Sequence, residues 1–588
     1  MRASVAVVGA GPRGTGFLER LAANAPSLYG NRPLDIHLID PYPPGGGRIW
    51  REDQSPLLWM NSMAADVTMF TDASAQPLEG PVRPGPDFAE WSGADPRSFP
   101  TRQAQSGYLR WVYEEAVAAL PPGSAVRRHR TRATRISGPA DGRQQVWLEG
   151  EAEPVIADLV VLTIGHLDAD PDGEQRELAR FARRYGLVHL PPAFTADSDL
   201  SVLGAGEPVV VRGFGLAFID LMVLLTEGRG GRYDARGEYL PSGREPVLYV
   251  GSRRGVPYHA KIGYTWAGER PPLPRFFGPE QVDELLAGPG PVDFDRHIRP
   301  LIDRELGFAH YHRLFTAHPG RTTVDWPVFE EKYAAAAAAP ELAALTEDAV
   351  PDPADRFDPE ALDRPLDGVR HDSFDALQES LRYRIEADIT RRHDPAYSPD
   401  LAVFLGLLSV YGQLTRLGDT GEGGTRWHGF FSFLASGPPG PRLRQLLALS
   451  RAGVVRFLGA GITVTADESR GVFSAGSASV PGERVEARAL VEARLPAPSP
   501  ARTRSALLNA LYEDGARSSA AGLLVVDPAD GRVVERGTGP HPRRFALGPH
   551  TTARSAGAFA RPHTNAPAFR QNDATARAAL TLLKESAR

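Results

Sequence analysis

A glycine-rich turn at the start of the chain has the spacing of a phosphate-binding loop. It reads Gly9-Ala-Gly11-Pro12-Arg-Gly14, follows the apolar run 5–8 and opens an amphipathic stretch. Between a strand and a helix, such glycines provide a tight turn, room for a pyrophosphate and close packing of helix on strand. This turn therefore predicts that a dinucleotide binds at the N-terminus of a helix.

An acidic residue after the next apolar run supports this prediction. Asp40 follows the apolar segment 34–39, close to the usual offset of about 20 residues beyond the last glycine of such a turn. A carboxylate at that position can accept hydrogen bonds from ribose hydroxyls. The loop that follows contains Gly47 and Arg48 and predicts a second contact to a pyrophosphate or a flavin, with an ordinary Pro/Gly turn as the alternative.

A second glycine turn, Gly213-Phe-Gly215, lies between two apolar runs nearer the middle of the chain. The second of these runs is followed by Ser252, Arg253 and Arg254 instead of an acid. Paired guanidinium groups suit a 2′-phosphate through charge-assisted hydrogen bonds, whereas an acid favours the bare ribose of NAD. The second site is therefore predicted to take NADPH, with an exposed basic turn as the alternative.

The amino-acid composition excludes several kinds of chemistry and of binding partner. The chain has no cysteine, which excludes disulfides, thiolate nucleophiles and Cys-ligated metal sites, so any redox chemistry must come from a bound organic cofactor. The formal net charge is −6 without long runs of one sign, so no nucleic acid or membrane partner is predicted. No apolar run of about 18 residues and no signal region is visible, which predicts a cytoplasmic protein and leaves its oligomeric state open.

The end of the chain is predicted to return to the first domain. A strand ending at Gly548 is followed by a loop and by a helix that begins near Asn572, which is how a flavin domain closes. The segment 157–166 contains Thr163-Ile-Gly165 and is similar to the strand by which two-dinucleotide flavoproteins pass from one domain to the next. Both observations predict a first domain built from both ends of the chain.

Taken in order, these features resemble the actinobacterial FAD/NAD(P)-binding family, a branch of the two-dinucleotide flavoproteins related to N-hydroxylating and Baeyer–Villiger monooxygenases. The resemblance is carried by Gly9, Gly11, Gly14, Asp40, Gly47, Arg48, residues 59–62, residues 102–111, Gly213, Gly215 and residues 570–573. It implies FAD at the first turn and NADPH at the second. The residues predicted to bind cofactor are Gly9, Gly11, Pro12, Gly14, Asp40, Gly47, Arg48, Asn61, Arg102, Gly213, Gly215, Ser252, Arg253, Arg254, Gly548 and Asn572.

The predicted fold is α/β, that of a flavoprotein with two Rossmann-like dinucleotide-binding domains and a helical cap insertion. Residues 1–200 and 441–588 are assigned to a discontinuous FAD-binding domain, residues 201–275 to the NADP-binding domain and residues 276–440 to the cap. Within these domains, the alanine run 334–339 is predicted to be helical and residues 522–527 to form a strand.

The resemblance also implies a reaction: N-hydroxylation of the amine of a small amino acid, best matched by conversion of L-aspartate to nitrosuccinate with dioxygen and NADPH. No catalytic side chain is assigned, because the cofactor carries the difficult chemistry. A dicarboxylate substrate calls for guanidinium or ammonium partners. The candidates are Arg48, Arg102, Lys261 and Arg270, each with a surface or phosphate-contacting role as the alternative.

The histidines give weaker signals. His310 and His312 stand two apart in a helical pattern and so do not share a face, which argues against a metal site. His259 and His428 are predicted to lie in loops that border the flavin, with a solvated or buried structural histidine as the alternative. Two other functions remain open: a flavin reductase or NADPH oxidase without oxygen transfer, and a non-catalytic nucleotide-binding redox sensor.

Overall fold

A computed structural model of the chain describes residues 2–290, 292–336, 338–418, 420–496, 499–553, 555 and 557–586. The strands are β1 (Ala3–Val8), β2 (Leu34–Ile39), β3 (Ala125–His129), β4 (Ala133–Ser137), β5 (Gln144–Leu148), β6 (Val155–Ala157), β7 (Leu159–Leu162), β8 (Val188–Leu190), β9 (Pro208–Arg212), β10 (Arg232–Tyr233), β11 (Tyr239–Leu240), β12 (Val247–Ser252), β13 (Val455–Ala460), β14 (Thr463–Asp467), β15 (Val472–Gly476), β16 (Arg484–Ala487), β17 (Ala489–Glu492), β18 (Arg532–Glu535) and β19 (Gly539–Ala546).

The α-helices are α1 (Pro12–Leu28), α2 (Phe88–Ser92), α3 (Arg102–Ala118), α4 (Gly173–Tyr185), α5 (Leu216–Leu225), α6 (Pro279–Ala287), α7 (Arg299–Ala317), α8 (Trp326–Ala335), α9 (Ala339–Ala349), α10 (Pro359–Asp363), α11 (Phe374–His393), α12 (Pro399–Leu417), α13 (Gly421–Ala435), α14 (Gly440–Arg451), α15 (Ala506–Glu513) and α16 (Pro567–Ser586). Among the described residues, no helix is both long enough and apolar enough to cross a membrane.

The chain divides into two compact units. The first consists of Met1–Asp172, Thr415–Glu422 and Pro496–Arg588, and the second of Gly173–Leu414 and Gly423–Leu495. Each unit is an α/β structure built on its own sheet, as the sequence predicts.

The first unit contains a six-stranded sheet in the order β18-β19-β7-β1-β2-β3. Its strands run parallel except for the antiparallel pair β18 and β19. The apolar strands β1 and β7, which are buried except for Ala3, form its centre, and β19, from the end of the chain, pairs with β7. Helix α16 buries Leu580 and Leu583 in the same core as Phe17 and Leu21 of α1. Both chain ends therefore contribute to this unit.

The second unit contains a parallel five-stranded sheet in the order β13-β12-β9-β17-β8. Here the predicted domain boundaries need a correction. Strands β8, β13 and β17, which the sequence analysis assigned to the first domain, pair in the second sheet. Neighbours in a parallel sheet are not neighbours in sequence, and a buried apolar run such as β17 does not reveal which sheet it joins.

Two local predictions are wrong. The alanine run is not one helix, because α8 ends at Ala335 and α9 begins at Ala339, where Pro340 fits the first turn of a new helix; residue 337 lies outside the described residues. Residues 522–527 form isolated bridges instead of a strand, among them those of Leu524 with Ser518 and Thr551. By contrast, the apolar periodicity of residues 374–393 predicts a helix, and α11 has those bounds.

Candidate functional site

The first glycine turn connects β1 to α1, and its glycines are required by close backbone contacts. Gly9 has a φ of +107°, and a Cβ there would stand 2.3 Å from the Thr163 carbonyl oxygen. A Cβ at Gly14 would stand 2.3 Å from the Gly9 carbonyl oxygen. At Gly11, which caps α1 before Pro12, the nearest atom to such a Cβ is Gly47 Cα at 3.8 Å. The turn is therefore tight at both ends and open at Gly11, as a pyrophosphate site requires.

Asp40 follows β2 directly and reaches back to this turn. Its Oδ2 accepts a hydrogen bond from the Ala10 backbone N–H at 2.7 Å, and its Oδ1 accepts one from the Tyr42 N–H at 2.8 Å. Burial raises the pKa of Asp40 above its usual range, against the opposing effect of these two amides. Each carboxylate oxygen retains a second lone pair, so the side chain can still accept a ribose hydroxyl.

The predicted second loop packs against the same turn. The Gly45 N–H donates to the Ala10 carbonyl at 2.8 Å, and a Cβ at Gly47 would stand 2.9 Å from Gly11 Cα. A Cβ at Gly46 would stand 3.2 Å from Ser106 Oγ on α3. The glycines of this loop therefore fit between the first turn and α3. The first glycine turn and the loop at Gly47, both predicted to contact the cofactor, thus lie side by side.

The side chains near this loop have partners within the first unit. Arg48 forms an ion pair with Asp168 at 2.8 Å. Arg102 is the first residue of α3, and its backbone N–H donates to the Leu58 carbonyl at 2.9 Å. The segment that includes Asn61 lies beside this helix start. Cofactor or substrate contacts of Arg48, Arg102 and Asn61 stay predictions.

The start of α16 is tied to the start of α1 by Arg13, which the sequence analysis did not single out. Its guanidinium donates to the Ala568 carbonyl at 3.1 Å and to Gln571 Oε1 at 2.8 Å. Asn572 is buried against α1, where a Cβ at Gly16 would stand 2.3 Å from its Nδ2. Sequence reasoning could have singled out Arg13 from its position inside the glycine motif.

Gly548 lies just beyond β19 and has a φ of +123°. The Thr551 hydroxyl donates to its carbonyl at 2.9 Å, which closes a short turn containing His550. Together with the open position at Gly11 and the free lone pairs of Asp40, this turn gives the first unit the features of a dinucleotide cradle. The residues present therefore fit FAD.

The second glycine turn connects β9 to α5. Gly213 has a φ of +125°, and a Cβ there would stand 2.4 Å from the Ala493 carbonyl oxygen, so this position again requires glycine. Gly215 caps α5 without a side-chain hydrogen bond. A Cβ at Gly215 would stand 3.0 Å from Tyr258 Cζ, which places the phenol ring over the helix start. Tyr258 is a second residue that sequence reasoning missed.

The residues at the end of β12 differ in their surroundings. Arg254 binds Asp363 through Nε, at 3.0 Å, and through Nη2, and it stacks 4.6 Å from the Phe433 ring. Arg253 lies 4.0 Å from the same carboxylate, and its side chain is 58% exposed. Ser252 Oγ accepts the Gly255 N–H and so fixes the turn. An exposed guanidinium at this point fits the 2′-phosphate of NADPH.

The remaining candidates lie in the second unit. Lys261 Nζ donates to the Ala435 carbonyl at 2.6 Å, and Arg270 is exposed.

His259 Nδ1 lies 2.6 Å from Asp388 Oδ1, and its ring packs against Phe433 at 4.6 Å. Burial raises the pKa of Asp388, but His259 and Arg392 more than offset this and bring it to about 2. The loop position predicted for His259 is confirmed.

His428 lies on α13, so the prediction that it occupies a loop is wrong. The sequence around it is apolar at helical spacing, and its ring stacks with Phe431. His310 and His312 are buried in α7, and His310 Nε2 lies 2.8 Å from the Asp355 carbonyl. Within the described part of the chain, no three or more His, Cys, Asp and Glu side chains group as a metal site would need.

Known proteins resemble this chain over nearly its full length. Residues 6–167 match the FAD-NAD(P)-binding family model. L-aspartate N-monooxygenase (nitrosuccinate-forming) of Streptomyces davaonensis is 34% identical, over 99% of this chain and 98% of that protein. Nitrosuccinic acid synthase npaA of Aspergillus oryzae is also 34% identical, over 98% of this chain and 93% of that protein. Among solved structures, the Kutzneria sp. 744 ornithine N-hydroxylase covers 100% of both chains at 13% identity and a TM-score of 0.39, a likeness too low for comparison of details.

Proposed function

Because the chain belongs to the family of nitrosuccinate-forming L-aspartate N-monooxygenases, we propose that it is an FAD-dependent, NADPH-consuming enzyme that hydroxylates the amine of L-aspartate. The observation that carries this proposal is identity of 34% along almost the whole of both chains. An amino acid and dioxygen are its co-reactants, and the cytoplasm is its proposed location.

When bound, FAD supplies the activation of dioxygen and NADPH supplies the hydride. The first unit would hold FAD through the turn at Gly9, Gly11 and Gly14, where the missing side chains admit the pyrophosphate. Asp40, already aligned by the Ala10 amide, would accept a ribose hydroxyl. The loop at Gly47 would supply further backbone contacts.

The second unit would hold NADPH at the Gly213 turn and at the end of β12. Arg253 would bind the 2′-phosphate, because its guanidinium is exposed while that of Arg254 is engaged by Asp363. The 2′-phosphate is the group that separates NADPH from NADH, so this residue would set the cofactor preference.

The substrate imposes two requirements on the protein. Two carboxylates need cationic partners, for which Arg48, Arg102, Lys261 and Arg270 remain the proposed set. The amine must lose its ammonium proton before its lone pair can accept oxygen. The pocket must also exclude water, so that activated oxygen is not lost as hydrogen peroxide.

The proposal is tested by measuring NADPH oxidation by the FAD-loaded chain with each of the twenty amino acids, while hydrogen peroxide is quantified in parallel. We expect L-aspartate alone to accelerate NADPH oxidation, with little peroxide released and with nitrosuccinate formed. D-aspartate and L-glutamate are the matched controls, because they alter only the stereocentre or add one methylene.

Equal stimulation by all amino acids, with all consumed NADPH recovered as peroxide, would contradict the proposed N-monooxygenase. That result would instead support a flavin reductase or oxidase. A chain that binds neither FAD nor NADPH would support a non-catalytic role.

A further inference from the structure

His550 is a buried histidine whose ring nitrogens make no hydrogen bond of normal geometry to the described residues. The residue is 6% exposed and lies in the turn that follows β19. Neither ring nitrogen has a hydrogen-bonding partner of acceptable geometry within the described part of the chain. A buried polar group left unpaired costs about 1–3 kcal/mol, so such a group calls for an explanation.

The backbone around His550 is held in place. The Leu524 N–H donates to the His550 carbonyl at 2.8 Å, and the Thr552 hydroxyl accepts the Val526 N–H at 3.1 Å. Thr551, between them, is fully buried and bonds back to Gly548. The isolated bridges of residues 522–527 therefore fix this turn, so the imidazole is presented from a rigid support.

The imidazole lies beside the first glycine turn. A Cβ at Gly548 would stand 3.6 Å from His550 Nδ1 and 4.0 Å from Arg13 Cγ, so both side chains border one point. Arg13 belongs to the glycine motif and lies in the first turn of α1. The unpaired nitrogens of His550 are thus placed next to the cradle that fits FAD.

Another buried histidine of the same unit shows the contrast. His541, on β19, is 4% exposed, and its Nδ1 accepts the Arg543 N–H at 3.1 Å. His541 therefore has a partner within the protein, as is usual for buried polar groups. The missing partner therefore distinguishes His550 from His541.

We propose that His550 is a positioning residue for FAD, and that a hydroxyl group of this cofactor supplies the hydrogen-bonding partner that the protein does not. The inference rests on the proposed function, because it takes the dinucleotide of the first unit to be FAD. A neutral imidazole offers one donor and one acceptor, and a hydroxyl group can pair with either.

Electrostatics support the neutral form. Burial and the nearby Arg13 guanidinium lower the pKa of His550 to about 3, against a weaker effect of the Gly165 carbonyl. At neutral pH the ring therefore carries no charge that would compete for the pyrophosphate. Its contribution is a directional hydrogen bond.

The test compares His550→Leu with His541→Leu as a matched control, using FAD titration of the apoprotein and thermal unfolding with and without FAD. For His550→Leu we expect the FAD dissociation constant to rise about tenfold, the loss of one buried hydrogen bond. The unfolding midpoint of the apoprotein should stay unchanged or rise, because an unpaired polar group has been removed. His541→Leu should lower the midpoint and leave FAD affinity within about twofold of the wild type.

An unchanged FAD affinity for His550→Leu together with a lower apoprotein midpoint would overturn the proposal, since the histidine would then be paired by a buried water or serve only packing. If His550→Leu does not fold, His550→Gln decides: its amide should give a smaller loss of FAD affinity, and no loss overturns the proposal. A wild-type chain that takes up no FAD contradicts the proposed function itself, which separates that failure from this one.

Discussion

Asp363 accepts hydrogen bonds from two nitrogens of Arg254, while Arg253 next to it lies 4.0 Å from the same carboxylate. The Arg254 side chain is 11% exposed and stacks on Phe433. The two arginines that the sequence presents as an equivalent pair are therefore different. One is held by an internal anion, and the other is exposed.

This difference predicts unequal effects on cofactor preference. Arg253→Ala should lower kcat/KM for NADPH about tenfold or more and leave kcat/KM for NADH nearly unchanged, because a hydrogen bond to a charged group contributes about 1.5–3 kcal/mol. Arg254→Ala should chiefly lower the unfolding midpoint, since it removes the nearer of the two cations that face the Asp363 carboxylate. Steady-state kinetics with both nucleotides distinguish the two. An equal loss of preference in both variants would show that Arg254 also contacts the phosphate.

Sequence patterns predicted local features well. The spacing of Gly9, Gly11 and Gly14 and the acid at Asp40 were sufficient to place the first glycine turn between β1 and α1, because these residues lie within one βαβ unit. The apolar periodicity of α11 gave its bounds. Such features depend on residues that are close in sequence, and the spacing of apolar residues and glycines predicts structure over that range.

Long-range features were not predictable in the same way. The partner of Arg254 is Asp363, 109 residues away, and no local pattern connects the two. The same limit applies to β17, whose apolar residues would suit either sheet. His550 attracts attention only when the structure shows that its nitrogens lack partners.

The second glycine turn predicts a coupling between Gly215 and Tyr258. Gly215→Ala places a methyl group 3.0 Å from the Tyr258 ring. The backbone φ of −97° is ordinary, so this contact is the source of strain, and Tyr258→Ala removes it. Gly215→Ala should therefore lower the unfolding midpoint in the wild type and have little effect in a Tyr258→Ala background. A double-mutant cycle by thermal unfolding measures the coupling, and additive effects would contradict it.

Gly213 provides the contrast. Its φ of +125° is unfavourable for any residue with a side chain, and a new Cβ would stand 2.4 Å from the Ala493 carbonyl oxygen, a backbone atom. Truncating the Tyr258 side chain relieves neither. Gly213→Ala should destabilise in either background, by at least about 1 kcal/mol. Rescue of this variant by Tyr258→Ala would show that the steric account is wrong.

We expect the retention of FAD to depend on the Asp40 carboxylate. Asp40→Arg should yield protein without flavin, because the carboxylate that accepts the Ala10 amide and would accept the ribose is replaced by a cation. The ratio of flavin to protein absorbance in the purified variant measures this. Asp35→Asn, near the start of the strand β2 that Asp40 follows, is the control and should keep its flavin. A fully yellow Asp40→Arg protein would exclude Asp40 as the ribose ligand.

His541 predicts a pH dependence of stability. Burial lowers its pKa to about 4, with Arg544 and Arg543 acting in the same direction, whereas an unfolded histidine titrates near about 6.5. Between these values the unfolded chain binds the additional proton. The free energy of unfolding should therefore fall as the pH drops through this window, by up to about 1.4 kcal/mol per pH unit.

The variant His541→Gln removes this titration and keeps a polar side chain. Urea unfolding at about pH 7.5, 6 and 5 should show that the wild type loses more stability on acidification than the variant does, so the two curves converge towards pH 5. All other titrating groups are common to both proteins, and the difference therefore isolates His541. Parallel curves would mean that His541 titrates alike in the folded and unfolded chain, and that its buried position on β19 does not hold it neutral.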